Sequence, residues 1–189
     1  MLVAPTHRAT PALETRDVSV RRCGRSLLQR ASITVHDGEF LVLLGGEGSG
    51  TDTLLHLLAG ALAPDAGRVF VDGRTWMQPA GTPSPRTRLA TGAAPSVAVL
   101  DGADDEVALL ERPTDGLDHR DAHHLLRRCR DAADRGRAVV ATVASADLAA
   151  AHATTIGLFV AGRMLSWGSP AIALVPALQL IGDSGHGVR

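Results

Sequence analysis

The 189 residues include no lysine and no tyrosine, only two cysteines and 3% aromatic side chains. Each shortage excludes something. The 19 basic side chains are all arginine, set among 20 Asp and Glu for a formal net charge of -1. No broad cationic face is therefore expected to hold a polyanionic backbone, and no nucleic-acid partner. Cys23 and Cys129 stand far apart without CxxC or His-rich spacing, which argues against a disulfide framework or a structural zinc and fits a reducing cytosol. The opening MLVAPTHRATPALETR has no charged start followed by an apolar run. No later stretch approaches the roughly 18 apolar residues of a membrane span. The expectation is a cytoplasmic chain, peripheral at the inner face of the cell membrane only through a partner.

What is present suits one globular domain: an apolar content of 45% over this length supports a sizeable core but not a second full domain. The expected division is an N-terminal tail over 1–12, a domain over 13–172 and a C-terminal tail over 173–189. Residues 13–44 carry short β-like runs, LETRDVSV, ASITV and FLVLL, broken by turn-like Cys23-Gly24-Arg25 and His36-Asp37-Gly38. The continuously apolar FLVLL suits a strand buried on both faces. It leads into GGEGSG and then Leu54, Leu55, Leu57, Leu58 and Leu62 at helical spacing. A further strand is expected over 68–72. Residues 74–96, rich in Pro, Gly, Thr and Ala, read as a shortened irregular region.

Two short apolar runs, 97–100 and 107–110, suit central strands. Asp118 is placed to cap a helix whose stripe is Ala122, Leu125, Leu126, Cys129 and Ala133 and which ends at Gly136. Beyond it come a strand over 138–143, a helix over 147–152 and a hairpin over 156–167 turning at Ala161-Gly162. Strands alternating with helices around a glycine loop give an α/β domain with a largely parallel sheet.

The loop Gly45-Gly46-Glu47-Gly48-Ser49-Gly50-Thr51-Asp52-Thr53 has the GxxxxG frame of a phosphate loop, but Thr51 and Asp52 stand where Lys and Ser or Thr belong. Successive backbone N–H groups at a helix N-terminus still favour an anion. Thr51 cannot supply the ammonium that neutralises phosphates, and Asp52 sets a negative charge beside them. Repulsion is the default, and the loop then serves only to join strand to helix. The counter-reading is a carboxylate that holds magnesium and bridges to phosphate.

With these residues in view, the sequence resembles an ABC transporter ATP-binding subunit over about residues 13–170. The resemblance rests on Gly38-Glu39, on LLGGEGSGTDTLLHLLAGALAPDAGRVFVDG at 43–73, on LLERPTDGLD at 109–118 and on GRMLSWGSP at 162–170, in that order. It implies a P-loop NTPase-like, RecA-like mostly parallel sheet flanked by helices, with an N-terminal antiparallel β portion. It also implies ATP and Mg as ligands, and an ABC permease or a second ABC ATPase subunit as partner.

The family's Walker B Asp and catalytic Glu read here as Glu111 and Arg112, with Asp118 closing the following loop. Glu111 keeps a carboxylate for a metal, whereas Arg112 stays protonated and cannot be a general base. Arg112 is expected either to attract phosphate or to form a surface ion pair. A competing alignment uses LATGAAPSVAVLDGA at 89–103 and makes Asp101 the metal ligand, with Gly102 in place of the Glu. Candidate metal ligands are thus Asp52, Glu111 and Asp101.

Nothing between Gly73 and Val107 is similar to the family's LSGGQ signature, and the interval is too short for the helical subdomain that carries it. The family's γ-phosphate histidine falls near Thr142-Val143, with Ser145 the nearest polar substitute. Its adenine-stacking aromatic falls near Arg22 or Cys23. His56, His123 and His124 read as ordinary solvated or packed side chains. The expectation is a noncatalytic or weakly nucleotide-binding subunit of a transport complex. The alternatives are an active ATPase with atypical site residues, or a decaying paralogue without activity.

Overall fold

The computed structural model describes residues 10–76, 84, 86–102 and 107–175. In chain order the elements are β1 (Leu13–Arg22), β2 (Arg25–Val35), β3 (Phe40–Leu44), α1 (Thr51–Leu58), β4 (Ala66–Val71), β5 (Arg74–Thr75) and β6 (Thr87–Thr91). They continue with α2 (Ala93–Leu100), β7 (Val107–Glu111), α3 (His119–Asp134), β8 (Val139–Val143), α4 (Ala146–His152), β9 (Thr155–Val160), β10 (Arg163–Gly168) and α5 (Pro170–Ala173). Two sheets result. The first is antiparallel with order β2-β1-β4-β5, and the second runs β10-β9-β3-β8-β7-β6. In the second sheet β9, β3, β8, β7 and β6 are parallel, and β10 is an antiparallel edge strand.

The expected architecture is therefore present, and the burial pattern shows why. β3 is buried at every position, and its side chains divide between two cores by the period-2 rule. Leu41 and Leu43 join α1 and the antiparallel sheet in one core. Phe40, Val42 and Leu44 join α2, α3 and α4 in the other. A strand with apolar cover on both faces needs no polar alternation, which is why FLVLL is continuous. Helix α3 buries the stripe read from its sequence, and Asp118 caps it by accepting from the Asp121 amide at 2.8 Å.

Two expectations are corrected. The run 97–100 is the last half of α2, not a strand. A short apolar run fits a buried helix segment as well as a strand, and periodicity alone does not separate them. Here Ala93, Val97 and Val99 pack on the sheet. Ser96 Oγ donates to the Gly92 carbonyl at 2.6 Å, and the fully buried Arg137 donates from Nη1 to the Val99 carbonyl at 2.8 Å, placing a cation where the helix dipole is negative.

The region 74–96 is not wholly irregular, because β6 runs through it in parallel register with β7. Its sequence, TRLAT, lacks an apolar alternation, and Leu89 is 37% exposed. Backbone pairing at the sheet edge holds this strand more than side-chain burial does. Residues 77–83 and 85 of that region lie outside the described residues, as do 1–9 and 176–189 of the expected tails. Among the described residues no helix is long and apolar enough to cross a membrane.

Candidate functional site

The phosphate-type loop sits where the parallel sheet predicts, at the carboxyl end of β3 and the start of α1. Gly45 N donates to the Val143 carbonyl at 3.2 Å, and Ser49 N closes a turn onto the Gly46 carbonyl at 3.1 Å. From behind, the β9–β10 hairpin supports the loop: Gly162 N donates to the Ser49 carbonyl at 2.8 Å, and Gln29 N of β2 donates to the Gly162 carbonyl at 2.7 Å. The approach is too close for side chains. A Cβ on Gly50, at φ +97°, would lie 2.7 Å from the Leu27 carbonyl oxygen and 3.0 Å from Gly162 Cα.

In front of the loop lies a cleft of ≈ 80 Å³ walled by Gly45, Gly46, Glu47, Thr51, Asp52, Arg112, Asp115, Thr142, Val143 and Ala144. Pockets that enclose a whole small-molecule ligand measure roughly 300–1,000 Å³, so this one has the scale of a phosphate group. Of the loop residues, Gly48, Ser49 and Gly50 build the turn and Thr53 lies within α1, and none of the four forms the walls. Thr51, in the lysine's position, is buried, and its hydroxyl lies 3.1 Å from Ser49 Oγ. It is turned into the loop instead of reaching out of it.

Charge in the cleft is three carboxylates, Glu47, Asp52 and Asp115, around the single guanidinium of Arg112. Arg112 adopts φ +48°, and its amide donates to Thr142 Oγ1 at 2.9 Å. Its Nε donates to Asp115 Oδ2 at 2.6 Å. The pKa of Arg112 is raised above its ordinary value, first by the hydrogen bond to Asp115, then by the negative charges of Asp115, Asp52 and Glu47. The surface ion pair expected for Arg112 is present. Its carboxylate partner was missed in the sequence, although Asp115 follows at i+3.

The three candidate metal ligands are not brought together. Only Asp52 faces the cleft. Glu111, at the end of β7, accepts from Thr91 Oγ1 at 2.6 Å and faces His56 Nε2 at 3.2 Å. His56 is thus tied to β7 and not simply solvated. Asp101 ends α2 and pairs with Arg128 of α3. The β6–α2–β7 crossover returns the chain to the amino ends of the parallel strands, opposite the phosphate loop. Asp118 is committed to capping α3, and Ser145 caps α4 by accepting from the Leu148 amide at 3.3 Å. The position near the expected histidine is the apolar Val143. Arg22 lies 3.6 Å from Asp65, and Cys23 is exposed.

A second cluster had a sequence signal that was passed over, the i,i+4 spacing of His119 and His123 on α3. His123 Nε2 lies 3.1 Å from His119 Nε2, and His123 Nδ1 lies 2.8 Å from His152 Nε2. Partial burial pushes the His152 imidazole below its ordinary pKa, with repulsion from His123 and Arg127 adding to it.

Comparison with known proteins places this geometry. The model of the ABC transporter family matches residues 28–169. The putrescine transport ATP-binding protein PotG of Escherichia coli is 41% identical over 71 residues, which are 37% of this chain and 19% of that protein. The taurine import ATP-binding protein TauB of Pseudomonas aeruginosa is 49% identical over 57 residues, 30% of this chain and 22% of that protein. The matches span about a fifth of the length of these curated relatives.

An ATP-binding cassette of an ABC transporter in its ADP conformation superposes with TM-score 0.74 at 12% identity, over 94% of this chain and 99% of that one. The cbiO1 subunit of the cbiONQ transporter complex from Clostridium perfringens gives TM-score 0.71 at 14% identity, over 95% and 96% of the two chains. At these identities the likeness is one of fold.

Proposed function

The chain belongs to the ABC transporter family, and from that premise we propose that it is a noncatalytic cassette subunit of a transport complex, working beside a permease or a competent ATPase subunit. The observation that carries the reading is the content of the cleft. Where the reaction needs a lysine ammonium and a general base, this cleft holds Thr51, Asp52 and a guanidinium engaged by Asp115. Two like charges about 4 Å apart near a protein surface repel by about 4 kcal/mol at an effective dielectric of ~20. Glu47, Asp52 and Asp115 therefore work against an entering triphosphate, and Arg112, already paired, offsets only part of that repulsion.

General-base catalysis contributes about 10²–10⁴-fold, and the position after Glu111, where the family's base is expected, holds the protonated Arg112. Glu111, the one carboxylate at the end of β7, is held by Thr91 and faces His56. The loop's backbone N–H groups and the start of α1 are retained, which supports residual affinity for a phosphate group. The names of PotG and TauB, a putrescine transport and a taurine import ATP-binding protein, support placing this chain in a transport assembly.

The test is a calorimetric titration with ATP and magnesium, with a phosphate-release assay on the same preparation. The expected result is weak or undetectable heat and no release above background, and copurification with a permease or ATPase subunit under gentle extraction. Sustained phosphate release that disappears in Asp52→Ala would overturn the reading in favour of an ATPase with atypical site residues.

A further inference from the structure

His119 and His123 lie one helical turn apart at the start of α3, with their rings 4.4 Å between centroids and edge-on at 80°. The facing atoms are both Nε2, 3.1 Å apart. Two imidazole nitrogens on one tetrahedral zinc, each at about 2.0–2.1 Å, lie about 3.3–3.4 Å from one another. The pair needs to open by only a few tenths of an ångström to admit an ion. On its other side His123 Nδ1 lies 2.8 Å from Nε2 of His152, the last residue of α4.

We propose that His119 and His123 form a two-histidine chelate for a divalent transition ion of the zinc class, oriented by His152 behind His123. Two histidines at i,i+4 on one helix face offer the spacing such an ion requires. Imidazole is a ligand of matching softness. When His123 Nε2 gives its lone pair to the metal, its proton resides on Nδ1, and a neutral His152 Nε2 accepts it. That bond fixes the tautomer and the ring plane, the role an outer partner plays at a metal-bound histidine.

Among the described residues no set of three or more His, Cys, Asp or Glu converges to hold a metal, so water completes the coordination. The hollow beside the pair also contains Arg120, Arg127, Asp121 and His124. The two arginines oppose a cation and Asp121 favours it, which points to a modest-affinity site. None of the three histidines lines the phosphate-loop cleft, so the site stands independently of the proposed function.

The experiment uses the untagged full chain stripped by chelator. Zinc chloride is titrated by calorimetry, and cobalt chloride is followed by its visible absorption. One saturable equivalent is expected. His119→Ala or His123→Ala should weaken it at least about tenfold, while His124→Ala leaves it unchanged. His152→Ala should weaken it by about tenfold, the scale of a lost outer partner. His152→Gln, whose amide oxygen also accepts, should recover affinity and the cobalt spectrum.

Thermal midpoints without metal check that the variants are folded. A measurement free of variants is the copper(II) magnetic-resonance spectrum of the unaltered chain, in which two coordinated imidazole nitrogens are expected. Equal zinc binding by the His119→Ala/His123→Ala double variant, absence of a saturable equivalent, or no coordinated imidazole would each overturn the proposal.

Discussion

Arg112 and Asp115 form a 2.6 Å ion pair across the tight turn that follows β7, closed by Asp115 N donating to the Arg112 carbonyl at 3.2 Å. The pair stands in the wall of the phosphate-loop cleft. Among the described residues that line the cleft, its one cation is therefore neutralised by a neighbour three residues away before any ligand arrives. Sequence reasoning offered Arg112 two fates, phosphate partner or surface ion pair, and the geometry sets them in competition.

That competition is measurable. Asp115→Asn keeps the shape of the turn and releases the guanidinium, so affinity for inorganic phosphate or for ATP with magnesium should rise by about two- to five-fold, the scale of one exposed ion pair. Arg112→Ala should move affinity the other way. Both shifts should shrink as salt screens the exposed charges. Calorimetry or a fluorescent nucleotide reads each, and unchanged binding in both variants would show that Arg112 does not face the bound anion.

Binding and hydrolysis should also separate. In Thr51→Lys with Asp52→Ser, an ammonium and a hydroxyl return to the start of α1, and one repelling carboxylate leaves. Nucleotide affinity should increase by at least about tenfold, since each 1.4 kcal/mol is a factor of ten and removing one repulsion while adding one attraction exceeds that. Phosphate release should stay at background, because Arg112 still occupies the position after Glu111 and no base replaces it. Turnover in this double variant would show that another residue positions the water.

The legible parts of this fold were those whose signals are local. FLVLL followed by a glycine loop and a leucine stripe gave strand, turn and helix, because burial on both faces and helical spacing each leave their own pattern in the sequence. Helix α3 was legible from Asp118 to its stripe. β6 was not, since TRLAT owes its strand state to pairing with β7, a partner 20 residues away. Residues 97–100 were misread because four apolar residues do not carry a period. At the site the loop was legible by spacing, and the loss of its lysine by identity. Asp115, Thr91 and His56 were not, because their roles depend on which side chain turns toward which neighbour.

The two cysteines should differ sharply in reactivity. Cys23 is exposed at the β1–β2 turn, whereas Cys129 is buried in the α3 stripe and its thiol is pushed up to about 12 by burial. The thiolate is the nucleophile, so at pH 8 a disulfide reagent should titrate one thiol in the native chain and two in denaturant. Fast modification of both without denaturant would mean that α3 does not pack on the sheet as described.

The backbone contact behind the loop makes the last prediction. Gly162 adopts φ +79°, and a Cβ there would meet the Leu27 carbonyl oxygen at 2.8 Å, whereas Gly24, at φ +74°, has open space around it. Both alanine variants carry the conformational cost of a left-handed residue, about 1–2 kcal/mol. Only Gly162→Ala adds a clash with backbone, which cannot swing aside as a side chain can, so its total cost should reach about 2–4 kcal/mol. The same residue donates to the Ser49 carbonyl. Relief of the clash must push the hairpin away from the loop, and the variant should lose phosphate affinity as well as stability. Gly24→Ala should lose only stability. Denaturant melts and phosphate titrations of the two variants distinguish a loop propped by its hairpin from one that holds its shape alone, and equal losses in both would exclude the prop.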